Sequence, residues 1–252
     1  MHTQPLIPYL LLLGDSALVQ GQRLCEWCGR APAIEEELAL MNVGLDLVGQ
    51  ARNWLDYAAE LLGDGRDADD LAMRRDERAY RNLLLVEQPN GDFAVTMTRQ
   101  FFYDAWHHAV LQGLAGSTDA RVAGIAAKAL KAATYHLRRS SEWVQRLGGG
   151  TDESRRRMLA AITLLWRFTV ELTAGSDDEV QLAEAGVAAD PVAVANAWRE
   201  QVAATFAAVE LPVPQPASHF YLDGRKGLHT EHLGLLLAEM QFLPRAYPDA
   251  TW

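Results

Sequence analysis

The strongest constraint on the fold of this chain is the order of its long helical segments. Apolar residues at helical spacing predict long helices at about 7–27 and 33–62, and again at about 93–114 and 119–147. The 29 residues at 64–92 join the second of these helices to the third. Simple up-and-down bundles have short loops throughout, whereas the ferritin-like arrangement places a long crossover between two tightly joined pairs. The sequence therefore predicts an all-α fold, a ferritin-like four-helix bundle with a long crossover.

Further helices extend beyond the predicted bundle. They are expected at about 152–173, 192–209 and 230–243, with a short helix at about 69–85 inside the crossover. Ser117 or Thr118 is expected to cap the fourth long helix, and Thr151 the helix after it, because a hydroxyl oxygen accepts a hydrogen bond from the free N–H groups of a first turn. We expect one domain over residues 1–252, with the extra helices at its C-terminal end.

Net charge and apolar content limit the partners. The formal net charge is −10, which argues against nucleic acid, because contacts with phosphates need a basic surface. Apolar residues make up 49% of the chain, but the longest apolar run near its start, residues 9–13, is far too short to cross a bilayer. No basic segment precedes this run, as it would in a secretory signal. We therefore expect a cytoplasmic protein that binds neither nucleic acid nor membrane.

Two small groups of residues have alternative interpretations. Cys25 and Cys28 have no second CxxC and no nearby Cys/His set, so reduced thiols are the simpler interpretation, and a redox or zinc pair is the alternative. The arginines at 138–139 and 155–157 are short basic clusters. They indicate a solvated helix face or, alternatively, a docking patch for an acidic protein or a phosphate-bearing ligand.

The predicted fold raises the question of a di-iron site. Such a site takes a carboxylate from each of two helices and a Glu-x-x-His pair from each of the other two. No Glu in this chain has a His three residues later, and the one Asp that does is Asp104, which precedes His107. The fourth long helix has no acidic residue between Asp119 and Glu142. The sequence therefore predicts no metal-ligating, cofactor-binding or catalytic residue.

The remaining polar residues predict where a vestigial site would lie. A hairpin that turns near residue 31 brings Asp15 and Asp46 to one level, and one that turns near residue 117 brings Asp104 close to Lys131. We predict a buried polar cluster in which a lysine replaces the metal cations, because a buried charge persists only when it is paired. Its members are Asp15, Asp46, Asp104, His107 and Lys131. Asp15, Asp104 and His107 also fit acid/base groups, although no nucleophile or cleft accompanies them.

A polar stripe on the second helix and an aromatic face on the third leave alternatives open. The stripe consists of Asn42, Asp46, Gln50 and Asn53. It fits a solvated face, or a buried network where a metal once lay. Phe102, Tyr103 and Trp106 make the third long helix aromatic on a second face, which fits core packing or a partner interface.

Six regions of the chain together resemble one protein family. They are GQRLCEWCG at 21–29, LDLVGQARN at 45–53, ERAYRN at 77–82 with LVEQPNG at 85–91, FYDAWH at 102–107, YHLR at 135–138 and HTEHLG at 229–234. In this order they look like the C subunits (PaaC) of the ring-1,2-phenylacetyl-CoA epoxidases, bacterial multicomponent monooxygenases of phenylacetate degradation. The resemblance spans nearly the whole chain.

The resemblance implies a non-catalytic structural subunit. Members of this family are similar in fold to the catalytic A subunit, lack its iron ligands and form a stable complex with it. The A subunit holds the di-iron centre and the CoA substrate, and a reductase with flavin and an iron-sulfur cluster delivers electrons from NADPH. The resemblance thus implies no cofactor in this chain and the A subunit as its partner, with self-association as a further option.

Two other functions stay open at the level of sequence. One is a self-standing ferritin-like di-iron oxygenase, which the iron content of the purified chain would reveal. The other is a helical protein-interaction module unrelated to oxygenases, which would copurify without a larger helical partner.

Overall fold

The computed structural model describes residues 3–215 and 222–250, which are mostly helical. Within these residues, the pairing outside helices is a single antiparallel bridge between Asp223 and Leu228. The α-helices are α1 (Thr3–Cys25), α2 (Ile34–Leu62), α3 (Ala68–Met73), α4 (Leu84–Glu87), α5 (Phe93–Leu114), α6 (Ala120–Gly148), α7 (Asp152–Trp166), α8 (Val170–Thr173), α9 (Asp177–Glu184), α10 (Pro191–Ala207), α11 (Glu231–Met240) and α12 (Phe242–Ala246). The first compact unit contains the described residues up to Pro89 and those from 222 onward, and the second contains residues 90–215.

The first unit is built on the antiparallel pair α1 and α2. Gly21 lies opposite Gly44, and a Cβ on Gly21 would be 3.0 Å from the Gly44 carbonyl oxygen. Gly14, earlier on α1, lies against Leu55, later on α2, so the two helices run in opposite directions. Their facing sides bury large apolar side chains, each of which stabilises the fold by about 1.5–3 kcal/mol. These include Leu10, Leu13, Leu24, Leu40, Leu47 and Trp54.

Polar contacts attach the crossover and the C-terminal helices to this pair. The Arg23 guanidinium on α1 donates to the backbone carbonyl of Glu87 at 2.6 and 3.1 Å. The Gln241 amide, which follows α11, donates to the carbonyl oxygens of Ala72 and Arg75, both at 3.1 Å. The Tyr80 hydroxyl also donates to the Ala72 carbonyl. The irregular parts of the crossover are thus held by side chains that satisfy their backbone groups.

The second unit is built on the antiparallel pair α5 and α6. The rings of Phe93 and Trp143 lie 4.9 Å apart, and Met97 Sδ lies 3.9 Å from an Arg139 guanidinium nitrogen. Helix α6 buries a stripe at helical spacing, formed by Val122, Ala126, Ala129, Ala133, His136, Ser140 and Val144. Most residues of α5 are buried, so α5 is the central helix of this unit.

Aromatic side chains fill the core around α5. The Phe102 ring lies 5.7 Å from that of Trp166 on α7 and 5.8 Å from that of Trp198 on α10. The Trp198 indole donates to the Phe102 backbone carbonyl at 2.9 Å. Of the two interpretations of the aromatic face of α5, core packing is the correct one for Phe102, because α7 and α10 cover it.

The long helices lie where apolar periodicity predicts them, whereas caps and connections differ. Thr151 caps α7 as predicted, with its hydroxyl accepting from the Ser154 N–H at 3.1 Å. The prediction that Ser117 or Thr118 caps α6 is wrong. Asp119 does so, accepting from the N–H groups of the next turn at 2.9 and 3.0 Å, because α6 begins at Ala120. The hydroxyls of Ser117 and Thr118 donate instead to the carbonyl oxygens of Val187 and Ala185.

The connections contain more structure than the sequence predicts. The helix expected at 69–85 is two short helices, α3 and α4, with a 3₁₀ turn between them. The loose stretch before α10 contains α9, which Ser176 and Glu179 begin with a reciprocal capping box. The expectation of one domain over residues 1–252 stays a prediction.

Helix length and composition limit the possible membrane spans. Among the described residues, no single helix is both long and apolar enough to cross a bilayer. One bent pair, Asp152–Thr173 followed by Asp177–Glu184, meets the requirement by length and composition alone.

Two glycines of α1 and α2 provide a matched test of the helix contact. Gly21→Ala would place a methyl group against the Gly44 carbonyl, which is backbone and cannot turn away. We expect it to lower the free energy of unfolding by about 1–3 kcal/mol, as overpacking does. At Gly49 an added Cβ meets no atom within 4 Å, so Gly49→Ala should raise the free energy of unfolding by about 0.5–1 kcal/mol through helix propensity. Urea denaturation checks both; equal stability of the two variants would contradict the close contact.

Candidate functional site

The candidate site residues are the buried carboxylates, since these are the groups that would ligate iron in a ferritin-like bundle. Asp15, Glu87 and Asp104 are the most deeply buried carboxylates of the described residues, with at most 2% of each exposed. Asp15 and Glu87 belong to the first unit and Asp104 to the second. A carboxylate out of water is costly unless it is paired, protonated or hydrogen-bonded, so the partners of each one indicate its role.

Asp15 on α1 is neutralised by an arginine of the crossover. One Arg75 guanidinium nitrogen lies 3.0 Å from Oδ2, a second donates to Oδ1, and the backbone N–H of Arg81 donates to Oδ2 at 2.8 Å. The guanidinium also lies over the Tyr80 ring, 4.5 Å from its centroid. Burial alone would lower the pKa of Arg75, but the Asp15 carboxylate raises it above its usual value. The cation that faces Asp15 is therefore a guanidinium.

Glu87 at the end of α4 accepts hydrogen bonds from the nearby Asn82 and from the distant neighbours His229 and Thr230. His229 Nδ1 lies 2.6 Å from Oε1, to which the Asn82 amide also donates at 3.2 Å. The backbone N–H and the hydroxyl of Thr230 donate to Oε2 at 2.9 and 2.6 Å. The other nitrogen of His229 lies 3.1 Å from the Tyr80 carbonyl oxygen. Because both nitrogens of His229 face acceptors, an imidazolium beside the Glu87 carboxylate satisfies every partner.

Among the described residues, the hydrogen-bond donors to Asp104 on α5 are both neutral. The Ser140 hydroxyl donates to Oδ2 at 2.8 Å, and the Gln100 amide donates to Oδ1 at 2.6 Å. Burial raises the pKa of Asp104 to about 8, although these two bonds and the nearby Arg139 oppose the rise. Asp104 is therefore mostly a neutral carboxylic acid at neutral pH.

His107 lies one turn after Asp104 and is a buried neutral imidazole. Its ring stacks on that of Tyr103, with centroids 5.1 Å apart. Burial, with smaller contributions from His136 and His108, lowers the pKa of His107 to about 3. Within the described residues neither ring nitrogen has a hydrogen-bond partner. Asp104 and His107 therefore do not form the hydrogen-bonded pair that acid/base work requires.

The predicted pairing of Asp104 with Lys131 is wrong. Lys131 is exposed, and Lys128 is exposed with it. The predicted height is off, because Ser140, which donates to Asp104 at 2.8 Å, lies nine residues or about 13 Å along α6 from Lys131. The predicted face is also wrong, because the buried stripe of α6 runs through Ala129, Ala133 and His136 and excludes the lysines.

The prediction that Asp46 lies level with Asp15 in a buried cluster is also wrong. Asp46 is exposed on α2, and so is Asn42, so this half of the polar stripe is a solvated face. Gly14 lies against Leu55, which puts Asp15 opposite a later part of α2. The connection between α1 and α2, residues 26–33, does contain residue 31, but the contact of Gly14 with Leu55 places the position that faces Asp15 several residues later than residue 47. Gln50, further along the stripe, is buried.

The residues that are present do not fit a di-iron centre. Residues 3–215 and 222–250 contain no group of three or more His, Cys, Asp or Glu side chains that could hold a metal ion. Asp15 and Glu87 already have cationic or donor partners, and Asp104 has a serine and a glutamine where iron would need carboxylate or imidazole. No step of any reaction is therefore assigned to a metal in this chain.

Cys25 and Cys28 are both free thiols. Burial, followed by the nearby Cys28, raises the pKa of Cys25 above its usual value. A raised pKa lowers the thiolate fraction at neutral pH, and the thiolate is the reactive form and the metal ligand. This environment does not favour the redox or zinc interpretation of the pair.

Sequence reasoning missed the residues that hold the buried carboxylates. Arg75, Ser140 and the Glu87–His229 pair were not among the candidates. A signal did exist for the pair, because Glu87 lies in the LVEQPNG segment and His229 begins the HTEHLG segment, two of the regions that carry the family resemblance. The structure shows that these segments meet.

Comparison with known proteins gives the family. The whole chain, residues 1–252, matches the phenylacetic acid catabolic protein family (PaaA_PaaC). The chain belongs to this family. A relative in Escherichia coli (strain K12), the C subunit of 1,2-phenylacetyl-CoA epoxidase, is 54% identical over 247 residues, which cover 98% of this chain and 99% of the relative. The resemblance seen in the six regions is thus confirmed.

A solved structure supports the fold of this member of the phenylacetic acid catabolic protein family. Protein 19 with aldehyde deformylating oxidase activity from Synechococcus matches with a TM-score of 0.55, over 84% of this chain and 94% of its own. The sequences are 15% identical, so the match concerns the fold alone. It confirms the predicted all-α, ferritin-like class.

The neutral state of Asp104 predicts an unusual dependence of stability on pH. An unfolded aspartate has a pKa of about 3.9, and burial raises that of Asp104 to about 8 in the folded protein. Between these two pKa values the folded state keeps a proton that the unfolded state loses. The contribution of Asp104 to the free energy of unfolding therefore falls as pH rises through this range, by up to about 1.4 kcal/mol per pH unit. His107, with a pKa of about 3 when folded, has the opposite effect only below about pH 6.5.

Urea denaturation between about pH 6.5 and 8 isolates the effect of Asp104. We expect Asp104→Asn to be less sensitive to pH than the wild type in this window, because the amide cannot ionise. Asp46→Asn, which alters an exposed aspartate, should keep the wild-type slope. Identical slopes for Asp104→Asn and the wild type would show that Asp104 is ionised when folded.

Proposed function

We propose that this chain is the non-catalytic, structural C subunit of a 1,2-phenylacetyl-CoA epoxidase, a multicomponent monooxygenase of aerobic phenylacetate degradation. The relative with that name is 54% identical along 99% of its length, so a shared role is the simplest interpretation. One structural observation supports the non-catalytic part of the proposal. Each deeply buried carboxylate is occupied by a protein donor, and no set of iron ligands converges among the described residues.

The proposed partner is the catalytic A subunit of the same epoxidase. In this proposal the A subunit holds the di-iron centre and the CoA substrate, and a reductase supplies electrons through flavin and an iron-sulfur cluster. This chain holds no cofactor and supports the fold and assembly of its partner in the cytoplasm. Its hydrogen-bonded buried carboxylates suit a scaffolding role, because satisfied buried networks favour one arrangement of the surrounding helices.

A di-iron oxygenase in its own right is the second candidate. The match to a protein with aldehyde deformylating oxidase activity favours it at the level of fold. An oxygenase of this kind would require Asp104, His107 or similar residues to ligate iron together. Asp104 instead accepts hydrogen bonds from Ser140 and Gln100. A standalone interaction module, the third candidate, offers no account of the family match over residues 1–252.

Coexpression with the A subunit from the same organism tests the proposal. We expect the two chains to elute together from a size-exclusion column at a mass larger than either chain, and multi-angle light scattering gives the stoichiometry. Epoxidation of phenylacetyl-CoA should require the A subunit and the reductase, and this chain alone should give no turnover.

A variant of this chain serves as control. Asp104→Asn removes the only Asp-x-x-His carboxylate but keeps its size, so we expect the reconstituted complex to keep its activity within about twofold. Loss of turnover in a complex that still assembles would contradict the structural role, and so would failure of the wild-type chain to bind the A subunit.

A further inference from the structure

The charge of helix α6 is opposite to that of the chain. The chain has a formal net charge of −10, yet residues 120–148 contain six Lys or Arg and one Glu. Exposed positions of α6 between 121 and 138 form a face that we call the basic stripe, with Arg121, Lys128, Lys131 and Arg138 as its cations and Gly124 and Tyr135 between them. At 1.5 Å per residue, this face is about 25 Å long.

The cations at the centre of the basic stripe are not neutralised within the chain. In the part of the chain that the structure describes, neither Lys128 nor Lys131 has an acidic partner. Arg138 has a long contact of 3.9 Å with Glu142, and both side chains are more than half exposed. Exposed pairs of this kind contribute little. Lys128 and Lys131 therefore carry positive charge that is available to another molecule.

The second basic cluster of the sequence behaves differently. Arg156 and Arg157 both contact the carboxylate of Glu153, at 2.8 and 2.7 Å. Arg155 donates to backbone carbonyls, including that of Val209 at 2.8 Å. The arginines at 155–157 thus have close partners within the chain, whereas Lys128 and Lys131 of α6 do not, so the docking interpretation is kept for α6.

The shape of the basic stripe favours a helix as its occupant. Its positions 121, 124, 128, 131, 135 and 138 alternate steps of three and four, the spacing along which a second helix packs. A Cβ on Gly124 would meet no atom within 4 Å, so a partner backbone can approach closely there. Nucleic acid fits less well, because the net charge of −10 repels a long chain of phosphates.

We propose that the basic stripe of α6 docks an acidic helix of another subunit of the epoxidase complex. The inference rests on the proposed function, since it takes the partner from that assembly. Complementary charge would speed association and select the partner, and salt would weaken both effects. Lys128 and Lys131 thus act in assembly on the outside of the bundle, whereas the sequence predicted a buried role for Lys131 beside Asp104.

Reversal of the lysine charges tests the inference in the full chain. Lys128→Glu/Lys131→Glu is compared with Arg52→Glu/Arg199→Glu, which changes net charge equally at exposed positions of α2 and α10. Each remaining epoxidase subunit is labelled and titrated separately, at about 50 and about 300 mM NaCl. For one subunit we expect the lysine variant to raise Kd at least about tenfold at low salt and less at high salt, while the control changes Kd about twofold.

Three outcomes would overturn the inference. In the first, the lysine variant and the control bind every subunit equally well. In the second, lysine-dependent binding is found only for phosphatidylserine vesicles or single-stranded RNA, tested in parallel, so that the occupant is a membrane or nucleic acid. In the third, the wild-type chain binds no subunit at all, and the proposed function then fails together with the inference. The first outcome, in contrast, contradicts the inference and leaves the proposed function intact.

Discussion

The structure depends on how protein groups satisfy the carboxylates that the helical core buries. Loss of hydration around a carboxylate costs several kcal/mol unless charge, protons or hydrogen bonds replace it. Asp15 receives the charge of the Arg75 guanidinium, and Glu87 receives His229 with three further donors. Asp104 is close to neutral, because burial raises its pKa to about 8. These are three chemically different ways to satisfy groups that a di-iron bundle would satisfy with iron.

Segments outside the long helices supply much of this compensation in the first unit. Arg75 lies in the crossover, and His229 and Thr230 precede α11, so the connections determine whether α1 and α4 can bury their carboxylates. The crossover is therefore more than a topological link between helix pairs. In the second unit the donors come from α5 and α6 themselves, and the stripe of α6 that faces α5 leaves the lysines of that helix outside.

Sequence predicted the long helices well because apolar periodicity reports burial of a helix face directly. It predicted the partners of the polar residues poorly, because these depend on register and on contacts between distant segments. Asp15 and Arg75 are 60 residues apart, and Glu87 and His229 are 142 residues apart. The exposure of Lys131 could have been inferred from the small-residue stripe at 126, 129 and 133 of the same helix. The capping role of Asp119 was equally visible, and a preference for hydroxyl caps hid it.

We infer that protein donors occupy the buried carboxylates to which iron would bind in a di-iron bundle. Iron content and the unfolding midpoint test this inference in the isolated chain, purified anaerobically and incubated with excess Fe(II). We expect iron far below one per chain and an unfolding midpoint that is the same with Fe(II) as with a chelator. A ligand that binds the folded state at a hundred times its Kd would add about 2.7 kcal/mol to the free energy of unfolding. Close to two irons per chain, with a rise in stability of that order, would show that these residues do bind iron.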